Sequence, residues 1–356
     1  MIDWTKVRRV LVIRLRSIGD TVLSTPSLIA LRRFLPNAKI DMLLEDWVAP
    51  VLEGHDKIDN VIAVKRGSVE RLRTAWRLRK NRYDVVINLH GGTTSTFFTR
   101  ATGAKHRIGY SNYQYSFLYN HLLASASDFW GQEFTHSAEQ QLALLGFVGV
   151  PVDDKPKSSL QISQAALDSL SRKFAFPDSE ISNLRSKIAL LHPASVFATK
   201  QWSPENFAKI AEYLAARGIA RIAVATKSER NLLAELVKSS RVPIKTFEDL
   251  TLPEITALAS RASLFVGNDS GIAHIAAAVG TPSVVIFGSS NRNHWRPWTD
   301  APNEIVFEPF ACQPCAGYRC EVYGEPKCIL SVQPATVIAA IDRVLAQSVP
   351  PAAAGG

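Results

Sequence analysis

The sequence predicts an α/β protein of two domains, each a mainly parallel sheet flanked by helices. Three observations carry that expectation. The chain has 356 residues, more than one hydrophobic core of about 250–300 residues usually serves. Short β-branched and aliphatic runs alternate with helix-like segments, a spacing that implies right-handed crossovers between parallel strands. The alternation pauses at the polar stretch Asp153–Lys187, which holds Pro156 and Pro177, and then resumes. Two Rossmann-like halves are expected, residues 1–165 and 166–332, followed by a last helix within 333–348 and a flexible tail over 349–356. Ligands of such sheets bind at the carboxyl ends of the strands, so a cleft between the two halves is the expected site.

In the first half, Arg9–Leu15 is a short aliphatic run that predicts a buried strand. Arg16–Asp20 follows as a loop, and Thr21–Phe34 as a helix ended by Pro36 and Asn37. Lys39–Leu44, Val61–Val64 and Val85–Leu89 read as further strands, with a basic helix over Val69–Lys80. In the second half the strands are Ile188–His192, Arg221–Ala225, Leu264–Val266 and Ser283–Phe287. The helices are Pro204–Arg217, stopped by Gly218, then Glu229–Lys238, Ile272–Val279 and Pro334–Gln347.

Composition narrows the function classes. Hydrophobic residues make up 46% and charged residues 21%, which excludes a disordered chain. No apolar run approaches the roughly 20 residues of a membrane helix. The N-terminus lacks a signal-peptide cleavage region, so a cytosolic location is expected. The net charge is +9, and it is uneven. Residues 1–130 hold 20 Lys+Arg against 11 Asp+Glu, whereas residues 131–356 hold 21 of each. Lys65–Arg82 alone has eight basic residues and one acid, Glu70. Such a segment is either a solvated helix face or a surface for phosphates on nucleic acid, anionic lipid or substrate.

Three loops at strand ends carry candidate chemistry. In Arg14-Leu15-Arg16-Ser17-Ile18-Gly19-Asp20, Asp20 stands where a helix begins. It could cap that helix or serve as a general base facing the cleft. In Gly267-Asn268-Asp269-Ser270-Gly271-Ile272-Ala273-His274, a polar turn opens a helix whose free N–H groups suit a diphosphate. Asp269 could instead cap that helix, and His274, a turn further in, could simply pack. Gly288–Asn291 is a second loop at the same end. In His192–Pro204, Lys200 is a loop cation, Ser195 and Thr199 supply hydroxyls, and Ser203-Pro204 reads as a helix start.

All four cysteines fall in one segment, Cys312, Cys315, Cys320 and Cys328. Disulfides are disfavoured in a cytosolic protein, and four thiolates are chemically compatible with a structural zinc. No D-x-D pair that could hold a metal-diphosphate occurs, so helix ends and basic side chains would have to neutralise a nucleotide diphosphate.

The Arg16–Asp20 loop, the His192–Ser203 loop, the Gly267–Gly288 segment and the cysteine cluster, in that order, resemble glycosyltransferase family 9. These are the ADP-heptose:lipopolysaccharide heptosyltransferases. The resemblance runs from about Val7 to Leu345. It implies a GT-B fold, two Rossmann-like domains facing each other across a cleft, with acceptor on the first, donor on the second, and the last helix packed back on the first. It implies a metal-independent, inverting transfer that requires no cofactor, with Asp20 as catalytic base. Lys200 would lie at the donor phosphates. Asp269, Ser270, Gly271 and His274 match the donor motif, Ser195 falls in the donor pocket, and Leu250 falls near the adenine. His136 matches a histidine on the acceptor side. Thr226–Glu229 departs from the pattern, lacking the glycine and early acid of many members, and is assigned no ribose contact.

The resemblance also gives the basic third a task. Inner-core lipopolysaccharide is acidic, phosphorylated and anchored in a membrane. Arg14, Arg16, Lys65, Arg66, Arg100 and Arg107 are the candidates to meet it, at the cytoplasmic face of the inner membrane. Two other readings are weighed against this one: a related enzyme using another sugar nucleotide or acceptor, and a basic nucleic-acid-binding protein. The charge map speaks against nucleic acid as a partner. Cys312–Cys328 holds just Arg319 and Lys327 against Glu321 and Glu325.

Overall fold

The structure, a computed structural model, describes residues 2–174, 188–315 and 317–348. The chain divides into two compact units, Met1–Gln161 and Ile162–Gly356. The first unit contains β1 (Arg9–Ile13), α1 (Ile18–Val22), α2 (Thr25–Phe34), β2 (Lys39–Glu45), β3 (Asn60–Val64) and α3 (Ser68–Lys80). It continues with β4 (Val85–Asn88), α4 (Thr93–Ala101), β5 (His106–Tyr110), β6 (His121–Leu123), α5 (Ala126–Trp130) and α6 (Ser137–Phe147).

The second unit starts with α7 (Gln164–Phe174), β7 (Ile188–His192), α8 (Pro204–Ala216), β8 (Ala220–Val224), α9 (Arg230–Ser239) and β9 (Lys245–Phe247). It continues with α10 (Leu252–Arg261), β10 (Leu264–Asn268), α11 (Gly271–Ala278), β11 (Ser283–Ile286) and α12 (Arg292–Trp295). β12 (Asn303–Val306), α13 (Lys327–Leu330) and α14 (Pro334–Ser348) complete it.

Each unit holds one six-stranded sheet, ordered β3-β2-β1-β4-β5-β6 in the first and β12-β11-β10-β7-β8-β9 in the second. All the strand pairs are parallel. Both orders are the same doubly wound pattern. In each, the winding reverses at the centre, between β1 and β4 and between β7 and β10. Ligands of such sheets settle at that reversal, outside the carboxyl ends of the strands.

Helices on both faces explain why the central strands are apolar without alternation. In β1, Val10 to Ile13 are all buried. Leu11, Ile13 and Leu15 pack with Leu43, Val86, Phe98 and the inner face of α3, Ala75 and Leu78. In the second unit, Leu191, Val266, Val284 and Ile286 pack with Phe207, Ile210 and Leu214 of α8 and Leu233 and Leu236 of α9.

The last helix is part of the second unit. Val337, Ala340, Ile341 and Val344, one stripe of α14, belong to the core of the second unit. Arg343 pairs with Glu304 at 2.6 Å and Arg217 with Asp342 at 2.9 Å, all within that unit. The helix therefore completes the core of the second unit. A domain boundary after residue 165 would cut α7. That helix is tied to the second unit by Ser169 Oγ donating to Glu254 Oε1 at 2.8 Å and Lys173 Nζ to Glu254 Oε2 at 3.0 Å. The rest of the expected linker, 175–187, and the expected flexible tail, 349–356, lie outside the described residues.

Candidate functional site

Asp20 lies in the first turn of α1, directly after β1, at the reversal point of the first sheet. The single helix expected over Thr21–Phe34 is two helices, α1 and α2. Pro26, at the start of α2, is compatible with a first turn but not with a helix running through it. Asp20 is therefore not the N-cap; Ser17 is, and Asp20 stands three residues inside. Its Oδ2 accepts from Ser17 Oγ at 2.8 Å and from Ser17 N at 3.3 Å. Its Oδ1 accepts from Arg14 NH2, while Arg14 NH1 donates to the carbonyl of Leu89 at the end of β4. Arg14 thus ties together the turns after β1 and β4. The Arg14 and Asp20 side chains are each 15% exposed.

His90, in the turn after β4, was not anticipated from the sequence. The signal available was Leu89-His90-Gly91-Gly92, a histidine and two glycines directly after a strand. Burial, with the neighbouring Arg14 charge, pushes the His90 pKa down to about 4. The ring is therefore neutral at pH 7, and its Nδ1 and the Arg14 Nε are buried with no protein partner. Gly91 has φ +78°, and a Cβ there would stand 2.4 Å from the Tyr113 ring. Only a glycine allows the turn to close onto that tyrosine.

The remaining acceptor candidates separate into three groups. Arg16, Lys65 and Arg66 are exposed and follow β1 and β3, so they lie at the carboxyl end with Asp20. Arg16 approaches Glu45 at 4.0 Å. His136 is at the same end, since Tyr110, the last residue of β5, donates to Gln140 O at 2.6 Å in the first turn of α6. Its own role is a cap: Nδ1 accepts from Ala138 N at 3.1 Å, and the residue is 2% exposed. Arg100, at the end of α4, and Arg107, near the start of β5, are at the opposite, amino-terminal edge of the sheet. Arg107 donates to Leu118 O and Ala104 O at 2.7 Å each. These two backbone carbonyls brace the guanidinium from within the first unit.

In the second unit, three turns meet at the reversal point around Asp269. From the turn after β7, Lys200 Nζ donates to Asp269 Oδ2 at 2.8 Å and Ser195 Oγ donates to Asp269 O at 3.3 Å. From the turn after β11, Ser290 Oγ donates to the same Oδ2. The Lys200 and Asp269 side chains are 19% and 6% exposed. Lys200 is thus a paired, mostly buried cation rather than a free loop lysine. Asp269 is not the cap of α11; Ser270 is, and its Oγ is buried with no protein partner.

Gly271 opens α11, and its first-turn N–H groups have no intrahelical acceptor, as at every helix start. His274 is buried one turn further in. Leu250 is half-buried after the edge strand β9, three strands from β10. Asn268 fixes the backbone beneath, donating to Pro193 O at 2.7 Å and accepting from Trp202 N at 3.1 Å.

A second layer braces these turns. A Cβ on Gly288 would stand 2.1 Å from Thr199 O, so glycine is required for the turns after β7 and β11 to touch. Ser289 Oγ donates to Thr199 Oγ1 at 3.0 Å, and Cys315 N donates to Ser289 O at 3.0 Å. Cys312, Cys315, Cys320 and Cys328 line one small cavity with Thr199 and Ser289. All four are free thiols, and burial pushes the Cys328 thiol up. Among the described residues no group of three or more His, Cys, Asp or Glu side chains is arranged to hold a metal ion. The four cysteines, compatible in sequence with a structural zinc, are thus gathered around one cavity, and the Cys315 backbone braces the Asp269 turns.

With this geometry in place, the chain can be set beside known proteins. Residues 71–324 match glycosyltransferase family 9 (heptosyltransferase). The chain is 28% identical over 353 residues to lipopolysaccharide heptosyltransferase 3 of Escherichia coli, covering 93% of this chain and 97% of that protein. A family 9 glycosyltransferase from Veillonella parvula has the same fold, with TM-score 0.80 at 20% identity over 96% of this chain and 97% of the other. The E. coli ADP-heptose lps heptosyltransferase II gives TM-score 0.79 at 20% identity over 95% and 99%. The paired Rossmann-like units are thus those of the GT-B fold. With most of its length matched by the family, the chain belongs to glycosyltransferase family 9 and is a glycosyltransferase enzyme.

Proposed function

We propose that the chain transfers a heptose from ADP-heptose to the phosphorylated inner core of lipopolysaccharide, with inversion and without a metal ion. The observation that carries this reading is the Asp269 cluster at the reversal point of the second sheet, in a chain similar along its length to a lipopolysaccharide heptosyltransferase. Helix N–H groups at Ser270 to Ile272 meet the diphosphate, and Lys200 turns toward it from Asp269. Ser195, Gly271 and His274 line the same end of the sheet, and Leu250 is left for the distal part of the nucleotide.

Asp20 is the proposed base. It takes the proton from the acceptor hydroxyl as that oxygen attacks the anomeric carbon on the face opposite the leaving group. The bond from the anomeric carbon to the diphosphate oxygen breaks, and ADP leaves with the electron pair. Helix amides and the Lys200 ammonium meet the developing charge, so the proposed step does not call for a metal ion. Arg14 and Ser17 fix the carboxylate, and neutral His90 lies beside it. Arg16, Lys65 and Arg66 are the proposed contacts to acceptor phosphates. The lipid anchor of such an acceptor places the enzyme at the cytoplasmic face of the inner membrane.

The test is a transfer assay on a truncated inner-core acceptor in EDTA, comparing ADP-heptose with other nucleotide sugars. Product with inverted anomeric configuration, fastest from ADP-heptose, is expected. Faster transfer from a different nucleotide sugar would replace the donor, retention would replace the mechanism, and loss of activity in EDTA would restore a metal.

A further inference from the structure

We propose that the outer face of α3 docks onto an anionic lipid surface. α3 buries Thr74, Ala75 and Leu78. On its outer side, Val69, Leu72 and Trp76 form a stripe at i, i+3 and i+7, exposed by 61%, 63% and 68%. No core is formed by these side chains. Arg71, Arg73, Arg77, Arg79 and Lys80 surround them, all exposed, and Lys65 and Arg66 stand just before the helix. Glu70, the acid of the helix, is taken by Arg73. Lys80 Nζ lies 5.3 Å from the centre of the Trp76 ring.

Each half of this pattern alone has an ordinary explanation; together they specify an occupant. A nucleic-acid surface uses the charges but gains little from Val69 and Leu72. A protein interface uses the apolar stripe but is depleted of charge at its centre. A bilayer with anionic headgroups uses both: acyl chains and the interface take the aliphatic and indole side chains, and phosphates take the arginines. The placement suits the enzyme. Lys65, Arg66 and Val69 begin at the carboxyl end of β3, the same end of the first sheet as Asp20. The inference rests on the proposed lipid-anchored acceptor for its purpose but not for its test.

The experiment is sedimentation of the full chain with vesicles of phosphatidylglycerol and phosphatidylethanolamine, against phosphatidylcholine vesicles, at low and high salt. Two double variants are compared, Leu72→Ser with Trp76→Ser and Arg73→Glu with Arg77→Glu. Wild type should bind the anionic vesicles and release them at high salt. Each double variant should bind at least about tenfold more weakly, since interfacial area and basic charge both contribute. Their melting temperatures should be unchanged, because the substituted side chains are outside the core.

Absence of anionic-vesicle binding by wild type, or binding by both variants equal to that of wild type, overturns the proposal. So does a salt-sensitive shift of duplex DNA, lost in the charge variant, without vesicle binding. Transfer to a water-soluble core fragment should be the same in wild type and variants. Failure of that transfer in wild type counts against the transferase reading, while vesicle binding stands or falls separately.

Discussion

The two units use the same sheet order and place an acid–cation pair at the same reversal point, yet the pairs are built differently. In the first, Arg14 bridges Asp20 and the Leu89 carbonyl, and Ser17 occupies the other carboxylate oxygen. Two anchors hold the guanidinium, and its planar fork suits that bridging role. In the second, Lys200 holds Asp269 through a single ammonium at 2.8 Å, with Ser290 on the same oxygen. An ammonium on a flexible stem can leave one acceptor for another, and Asp269 would keep Ser290 when it does. The contrast separates a site that fixes a carboxylate from one that can exchange a cation. The proposed division of work, base in one unit and phosphate site in the other, follows from it.

The comparison can be broken at several points. The largest effect expected is for Asp20→Asn, which keeps the shape but cannot take a proton; turnover should fall by about 10²–10⁴ in steady-state transfer assays. Lys200→Ala should follow, lowering kcat/KM by about 10–10³ as the donor to the leaving diphosphate is lost. Arg14→Lys is predicted to reduce turnover by roughly tenfold without changing KM for the donor, because one ammonium cannot bridge both acceptors. Unchanged turnover in that variant would show that the bridge does not position Asp20.

Two smaller effects probe the scaffolds. Gly288→Ala forces a Cβ toward Thr199 O and should destabilise the protein by about 1–3 kcal/mol, read as a lower urea midpoint. In the first unit, burial holds the His90 pKa near 4, below the ordinary 6.5. The unfolded chain therefore takes up a proton at higher pH than the folded one. The stability from this group is full above about 6.5 and is lost as pH falls toward 4. The urea midpoint of wild type should drop between pH 7 and 4.5 by more than that of His90→Gln. Buried His192, also lowered, leaves a residual slope in both.

Much of the fold is legible in the sequence because the central strands are continuous apolar runs, as buried parallel strands must be. What is not legible sits at the edges. β5 reads HRIGY, and β6 and β9 are three residues each, too short and too polar to show a period. α4 is Thr- and Ser-rich and forms through the packing of Phe98 rather than through helix propensity. α14 shows its stripe in the sequence, but which core the stripe joins is a tertiary fact.

The site divides the same way. Asp20, Lys200 and Asp269 can be marked from strand–turn–helix spacing. Their partners cannot, since Lys200 and Asp269 are 69 residues apart and Arg14 reaches Leu89 across 75. Arg100 and Arg107 show the limit of charge counting: they share the basic third with Arg16, but topology places them at the other edge of the sheet.

Titration of ADP into two variants by calorimetry tests the division of work most directly. Asp20→Asn should bind ADP with the affinity of wild type, and Lys200→Ala should bind about tenfold or more weakly. Equal loss of affinity in both variants, or loss in Asp20→Asn alone, would contradict the assignment of the base to the first unit and the diphosphate to the second.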